Sequence, residues 1–273
     1  MSYAAPMIEG PVIVTGASTG IGAATTKRLL DSGREVISLD VKEAPPGVAT
    51  HIHCDLSDPA SIDAAVAGLD GAYASLLNIA GVPGTVPSDM VVKVNTLGLR
   101  QLTDSLWDRI GDGGTVVNVS SIAGNQWKKR FDAHVELLDT PDFRSGAAWW
   151  EANEAAVRAD PYTFSKEAVV VYTMQLAGRG LERGIRVNDV GPGPVDTPIF
   201  PDFSAQVGEE QMKWMCDQVG RPAGPDDIAQ VLVWLAIGDH DWLNGQHIIV
   251  DGGLMAGLSS RWIDRATSPA ARG

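Results

Sequence analysis

Residues 11–40 carry a pattern that few folds accommodate. Pro11–Thr15 is a short run, apolar on both faces, as in a strand buried inside a parallel sheet. It runs into Gly16-Ala17-Ser18-Thr19-Gly20-Ile21-Gly22. Gly20–Leu30 follows with helical spacing of Ile21, Ala24, Leu29 and Leu30, and Gly33 marks the stop. Glu35–Leu39 is a second apolar run, ending at Asp40. Strand, helix and strand within about thirty residues make a βαβ unit.

The alternation continues. The spacing predicts helices over Pro59–Leu69, Val91–Ile110, Tyr162–Arg179 and Pro225–Ile237. Strands are predicted over Ala74–Ile79, Thr115–Val119, Arg186–Val190 and His247–Val250. This order predicts an α/β fold: a single-domain, Rossmann-type doubly wound parallel sheet with helices on both faces. No linker-like composition divides the 273 residues. Two stretches break the rhythm. Residues 125–161 hold Trp127, Phe131, Phe143, Trp149 and Trp150. Residues 192–221 hold Ile199, Phe200, Phe203, Met212, Trp214 and Met215. Long excursions of this kind are usually functional or interfacial.

The glycines of the first turn let the backbone approach a pyrophosphate, and the following helix N-terminus offers free N–H groups and a positive dipole end. No Gly-Lys-Ser/Thr follows, so the turn is not a Walker loop. Asp40, eighteen residues beyond Gly22, can accept bonds from both ribose hydroxyls of NAD and repel a 2′-phosphate. The alternative is an aspartate that caps the next turn. Lys42 is expected to point away.

Tyr162 and Lys166 stand one helical turn apart, so ammonium and phenol face one side. A free tyrosine is a poor base at neutral pH, and a nearby cation favours the phenolate. Ser121, at a strand end, can hydrogen-bond a substrate oxygen, and the adjacent Ser120 is the neighbour to exclude. Together they make a proton-transfer group for alcohol oxidation. Structural roles for each, as helix aromatic, solvated charge and strand cap, remain the alternative.

A formal net charge of −13 excludes nucleic acid and anionic membranes as expected partners. The short run Lys128-Lys129-Arg130 reads as a solvated loop edge. Cys54 and Cys216 show neither metal spacing nor a disulfide framework. Residues 1–10 lack a basic region and an apolar run, so no signal peptide is expected. No uninterrupted apolar stretch is long enough to span a bilayer, and a cytoplasmic protein is expected.

Six motifs, in order from about Val12 to Gly253, resemble the short-chain dehydrogenase/reductase family. They are Gly16-x-x-x-Gly20-x-Gly22, Asn78-Ile79-Ala80-Gly81, Asn95, Ser121, Tyr162-x-x-x-Lys166 and Pro192-Gly193. The resemblance implies catalysis by Ser121, Tyr162 and Lys166, with Asn95 holding a water beside the lysine. It implies NAD as cofactor, contacted by Gly16, Ser18, Thr19, Gly20, Ile21, Gly22 and Asp40. Asp55 and the backbone of Leu56 would flank the adenine. Asn78, Ala80 and Gly81 would line the cofactor's strand edge. Tyr162, Lys166, Pro192 and Gly193 would also meet the cofactor, with Val195 and Thr197 on the nicotinamide carboxamide. For Asn188, strand-end backbone bonding is the favoured reading.

Ser121 and Tyr162 are separated by 41 residues, a longer link than most of the family has. This resembles the 3α-hydroxysteroid dehydrogenase/carbonyl reductase and coniferyl alcohol dehydrogenase subgroup, so residues 125–161 read as an insert. Its aromatics are expected to pack internally or at an interface, ahead of touching substrate. Residues 192–221 sit where the family keeps a substrate lid. Their apolar content points to a hydrophobic secondary alcohol or ketone, a 3α-hydroxysteroid being one candidate. An aryl or allylic primary alcohol of the coniferyl kind is the alternative, and a non-catalytic NAD sensor the remote one. A homo-oligomer is expected, a dimer ahead of a tetramer.

Overall fold

A computed structural model describes residues 9–157 and 160–271. The first eight residues, considered above for a leader, lie outside them. Among the described residues there are seven strands: β1 (Val12–Thr15), β2 (Val36–Asp40), β3 (Thr50–His53), β4 (Tyr73–Asn78), β5 (Ile110–Val119), β6 (Arg186–Pro192) and β7 (His247–Val250). All pair in parallel in one sheet, ordered β3-β2-β1-β4-β5-β6-β7. The order reverses between β1 and β4, and in such sheets ligands bind in the crevice at the strand carboxyl ends there.

The helices are α1 (Gly20–Asp31), α2 (Pro59–Ala67), α3 (Ser88–Val92), α4 (Leu99–Leu106), α5 (Phe131–Leu138), α6 (Phe143–Val157), α7 (Pro161–Arg179), α8 (Phe200–Val207), α9 (Glu209–Gln218), α10 (Pro225–Ile237) and α11 (Leu254–Ser260). Period-two alternation splits the apolar side chains of the strands between two faces. Val12, Val14, Leu77 and Val190 pack with Leu29 of α1 and Ile228 and Leu232 of α10. Ile13, Leu76, Val116 and Val187 pack with Leu102 of α4 and Phe164, Val169 and Leu176 of α7.

Two elements depart from the sequence expectation. Strand β3 was not anticipated: Thr-His-Ile-His is a half-exposed edge strand, and its polarity hides it. The single helix expected over Val91–Ile110 is divided. A wide π-type turn, Lys93–Gly98, separates α3 from α4, and Ile110 opens β5 by pairing with Tyr73. Gly98 packs against the Leu56 carbonyl, where a Cβ would come within 2.1 Å of the oxygen. The π turn carries Asn95, whose side chain is fully buried. Such bulges frequently mark functional sites.

Residues 125–157 build a cover over α7. Phe164 is its hub, with the rings of His134, Trp150 and Trp149 at 4.5, 5.1 and 6.1 Å. The Glu167 carboxylate, wholly buried, receives Arg130 at 2.6 and 2.8 Å and lies 3.1 Å from His134 Nε2. Breaking one partner of such a buried pair typically costs about 3–5 kcal/mol. Arg100 of α4 donates to the carbonyls of Leu137 and Leu138 and to Thr140, satisfying the open C-terminus of α5.

Candidate active site

The carboxyl ends of β1, β2, β4, β5 and β6 open into a cleft of about 1220 Å³. Its first wall is the glycine turn. Gly16 and Gly20 take φ of +66° and +53°, which side chains rarely adopt. A Cβ on Gly16 would lie 2.8 Å from the Ala80 Cα, and one on Gly22 only 1.9 Å from the Gly16 oxygen. Thr19 caps α1 without a side-chain hydrogen bond, leaving the first-turn N–H groups without a side-chain acceptor. Thr19, Gly20, Ile21 and Gly22 line the cleft. A narrow, uncapped helix start of this kind fits a pyrophosphate.

Asp40 ends β2 on the rim, nearly buried. It accepts the Ser18 N–H on one oxygen and the Lys42 N–H on the other, both at 2.9 Å. It therefore caps the next turn and faces the cleft at once. Lys42 borders the cleft at this rim and is exposed to solvent. Ser18 does not: its hydroxyl donates to the Glu43 carbonyl at 2.7 Å. Asp55 and Leu56 form the next stretch of wall, and Asp55 accepts from Ser57 N–H and hydroxyl.

Asn78 is not on the cleft. Its amide is turned into the core, donating to Thr103 at 2.9 Å and Asn118 at 2.8 Å. Its neighbours Ala80 and Gly81 do line the cleft, with the Ala80 N–H held by Thr15 Oγ1. Pro192, Gly193, Val195 and Thr197 complete the floor. Asn188 bonds the Leu243 carbonyl and the Gln246 N–H, a strand-end role.

Tyr162, Lys166 and Ser121 converge on the floor. Asp160 caps α7 by accepting the Thr163 N–H, which sets Tyr162 in the first turn. Lys166 is one turn on, its Nζ donating to the Val119 carbonyl at 2.9 Å and lying 5.9 Å from the centre of the Tyr162 ring. Ser121 stands near enough to Tyr162 to draw its pKa down, whereas the Ser120 hydroxyl is turned to Asp189. Asn95 accepts the Val82 N–H and donates to the Val82 carbonyl and Ser165, beside Gly81. A Cβ on Gly81 would come within 3.1 Å of Asn95 and 3.4 Å of Lys166.

Burial pushes the Tyr162 phenol up to about 12, against the pull of Ser121 and with a push from Asp160. The sequence argument had the lysine lowering it, but desolvation dominates here. Burial also brings Lys166 down to about 8, while Asp189 works the other way. A phenol, a hydroxyl and a buried amine at one floor can bind an alcohol or carbonyl oxygen and exchange its proton.

Part of the wall is apolar: Met90, Val94, Phe200, Phe203, Met212, Met215 and Met255 line the cleft. Phe203 meets Tyr162 edge-on at 5.1 Å. Gln206 of α8 accepts the Gly84 N–H at 2.9 Å, tying that helix across the mouth. Sequence reasoning had not singled out Met90, Val94, Gln206 or Met255. Only the i, i+4 spacing of Met90 and Val94 was a visible signal. None of the five insert aromatics lines the cleft, and Trp214 turns away to Thr267. Among the described residues no group is arranged to hold a metal ion, and no helix is long and apolar enough to cross a membrane.

Comparison with known proteins matches residues 11–133 to the family model for short chain dehydrogenase. Residues 148–255 match that for enoyl-(acyl carrier protein) reductase. The chain is 38% identical over 244 residues to a coniferyl-alcohol dehydrogenase of a Pseudomonas species, covering 89% of this chain and 95% of that protein. It is 28% identical to the 3-alpha-hydroxysteroid dehydrogenase/carbonyl reductase of Comamonas testosteroni, covering 90% and 96%. The crystal structure of a 3-alpha-hydroxysteroid dehydrogenase from Pseudomonas sp. B-0831, complexed with NADH, superposes with a TM-score of 0.78 at 29% identity, covering 94% of this chain and 99% of that one.

Proposed function

Because the chain belongs to the short-chain dehydrogenase/reductase family, we propose that it moves a hydride between NAD(H) and an apolar, ring-bearing alcohol and its carbonyl. The observation that carries this reading is the convergence of Tyr162, Lys166 and Ser121 at the base of a cleft walled by methionine and phenylalanine. The nicotinamide, when bound, supplies the hydride acceptor or donor. The Gly16–Gly22 turn holds the pyrophosphate and Asp40 the adenosine ribose. Ser121 donates to the substrate oxygen, and Tyr162 takes the alcohol proton in oxidation and returns it in reduction. Lys166 supplies the positive charge that favours the phenolate. Residues 192–221 act as a lid whose apolar side chains keep water from the reacting carbon. The unpaired Cys54 and Cys216 suit a reducing cytoplasm.

For the substrate, an aryl-allylic primary alcohol of the coniferyl kind leads, supported by the 38% relative. A 3α-hydroxysteroid is the second reading, supported by the NADH-bound neighbour. The test is NADH formation from coniferyl alcohol, cinnamyl alcohol and androsterone, with glucose as the polar control. The two aryl alcohols are expected to exceed androsterone at least about tenfold in kcat/KM. The opposite order assigns the enzyme to secondary alcohols, and NADH from none of the three removes the reading altogether.

We also propose a homo-oligomer, a dimer ahead of a tetramer. Helices α5 and α6 cover part of α7, while the fully exposed Trp242 and the largely exposed Trp262 present apolar surface elsewhere. Light scattering is expected to give twice the chain mass. A monomer at assay concentration overturns the idea.

A further inference from the structure

Ser120, Asp189 and His247 form a polar cluster that the reaction above does not use. Strand register assembles it: Asn118 pairs with Asp189, and Asp189 with His247. Asp189 Oδ1 accepts from the Ser120 hydroxyl and lies 2.6 Å from His247 Nδ1. Asp189 is wholly buried, and among the described residues neither its Oδ2 nor His247 Nε2 has a hydrogen-bond partner. Gly191 leaves room for the imidazole, since a Cβ there would sit 2.6 Å from its Cε1. A carboxylate is costly to bury unless cations answer its charge.

Lys166 is close to this cluster along the chain of contacts. Its Nζ is held by the Val119 carbonyl, and the next residue, Ser120, holds Asp189. Asp189 alternates with Val190, so it shares the face of β6 with Val187, which packs in one core with Val169 and Leu176 of α7. We propose that Asp189 is a positioning residue of the proton-transfer group, holding Lys166 as an ammonium beside Tyr162. The proposal rests on the reading that Lys166 serves that group.

Other charges around α7 are committed elsewhere. Glu167, the neighbour of Lys166, is taken by Arg130 and His134. Lys93 of the π turn pairs with Asp89 of α3. Arg100 of α4 serves carbonyls of α5, Arg179 pairs with Asp104, and Arg183 pairs with Asp112. Asp160 acts on Tyr162, and Asp251 accepts the N–H groups of Gly253 and Met255. The carboxylate whose charge acts on Lys166 is Asp189, and it opposes the lowering due to burial. Without that charge the lysine gives up its proton at lower pH, and the phenolate loses its cation.

The experiment is the pH profile of kcat/KM for NAD-dependent oxidation of coniferyl alcohol, or of androsterone if that proves the better substrate. Asp189→Asn should move the alkaline limb about one pH unit lower and reduce kcat about tenfold near pH 8, with KM for NAD changed less than kcat. Asp189→Glu, which keeps the charge, should bring the limb back toward the wild-type position. Should Asp189→Asn not fold by circular dichroism, Asp189→Ser carries the same expectation. A folded, charge-free variant with the wild-type limb overturns the proposal. Lys166→Met separates the levels. Activity surviving that change overturns the role of Lys166 and the proposal with it. A dead Lys166→Met beside an unshifted Asp189→Asn overturns the proposal alone.

Discussion

Tyr162→Phe is expected to keep the fold and NADH binding and to lose about 10²–10⁴-fold in turnover, the usual worth of general acid–base help. The phenyl ring retains its edge contact with Phe203, and the phenol oxygen makes no hydrogen bond on which the strand–helix framework depends. Pyrophosphate and adenosine are held at Gly16–Gly22 and Asp40, on other elements, so affinity for NADH should change little. The wild type also has a signature that the variant lacks. Burial sets the phenol near 12, so below that pH it is protonated and the basic form grows about tenfold per pH unit. Alcohol oxidation should therefore rise with pH until Lys166, near 8, gives up its proton. Tyr162→Phe should flatten the rise. Steady-state kinetics with a fluorescence titration of NADH decide the matter: more than half of wild-type turnover in the variant means that Tyr162 is not the base.

What the sequence made legible follows from which forces act locally. Buried parallel strands are mostly apolar, so β1, β2 and β4 stood out within a residue of their ends, and β6 within two although it carries Arg186, Asn188 and Asp189. Strand β3 did not, because an edge strand is half solvated and its histidines carry no pattern distinct from a loop. The π turn at Lys93–Gly98 was hidden for another reason. It coincides with a contact across the fold, the close approach of Gly98 to Leu56, and helical periodicity alone reads through it. Side-chain direction was the weakest inference. Asn78 stands next to residues that line the cleft, yet alternation along β4 turns its amide to Thr103 and Asn118. The direction of the Tyr162 pKa also lay outside reach, because i, i+4 spacing reports the nearby cation but not the burial that outweighs it. Asp189 and His247 come together only through strand register, being 58 positions apart in the chain.

Wild-type enzyme is expected to prefer NAD over NADP by about 10²-fold in kcat/KM, and Asp40→Ala to remove most of that preference. Asp40 ends β2 on the rim of the cleft, where the family's fold places the adenosine ribose. Each charge-assisted bond to a ribose hydroxyl contributes about 1.5–3 kcal/mol, and about 1.4 kcal/mol is tenfold. Two such bonds would reach about 10²–10⁴-fold, but the lower end applies here. Both carboxylate oxygens already accept a backbone N–H, from Ser18 and Lys42, and share their remaining capacity. Toward NADP the same charge faces a phosphate bearing nearly two negative charges. Asp40→Ala therefore weakens NAD by losing the ribose bonds and improves NADP by removing the repulsion. It also releases the Ser18 and Lys42 N–H groups, which can then donate to a 2′-phosphate. The measurement is kcat/KM for both cofactors with one alcohol, in both proteins. Equal or better efficiency with NADP in the wild type refutes the preference. Unchanged constants for both cofactors in Asp40→Ala would leave Asp40 with the turn between Ser18 and Lys42 as its whole task.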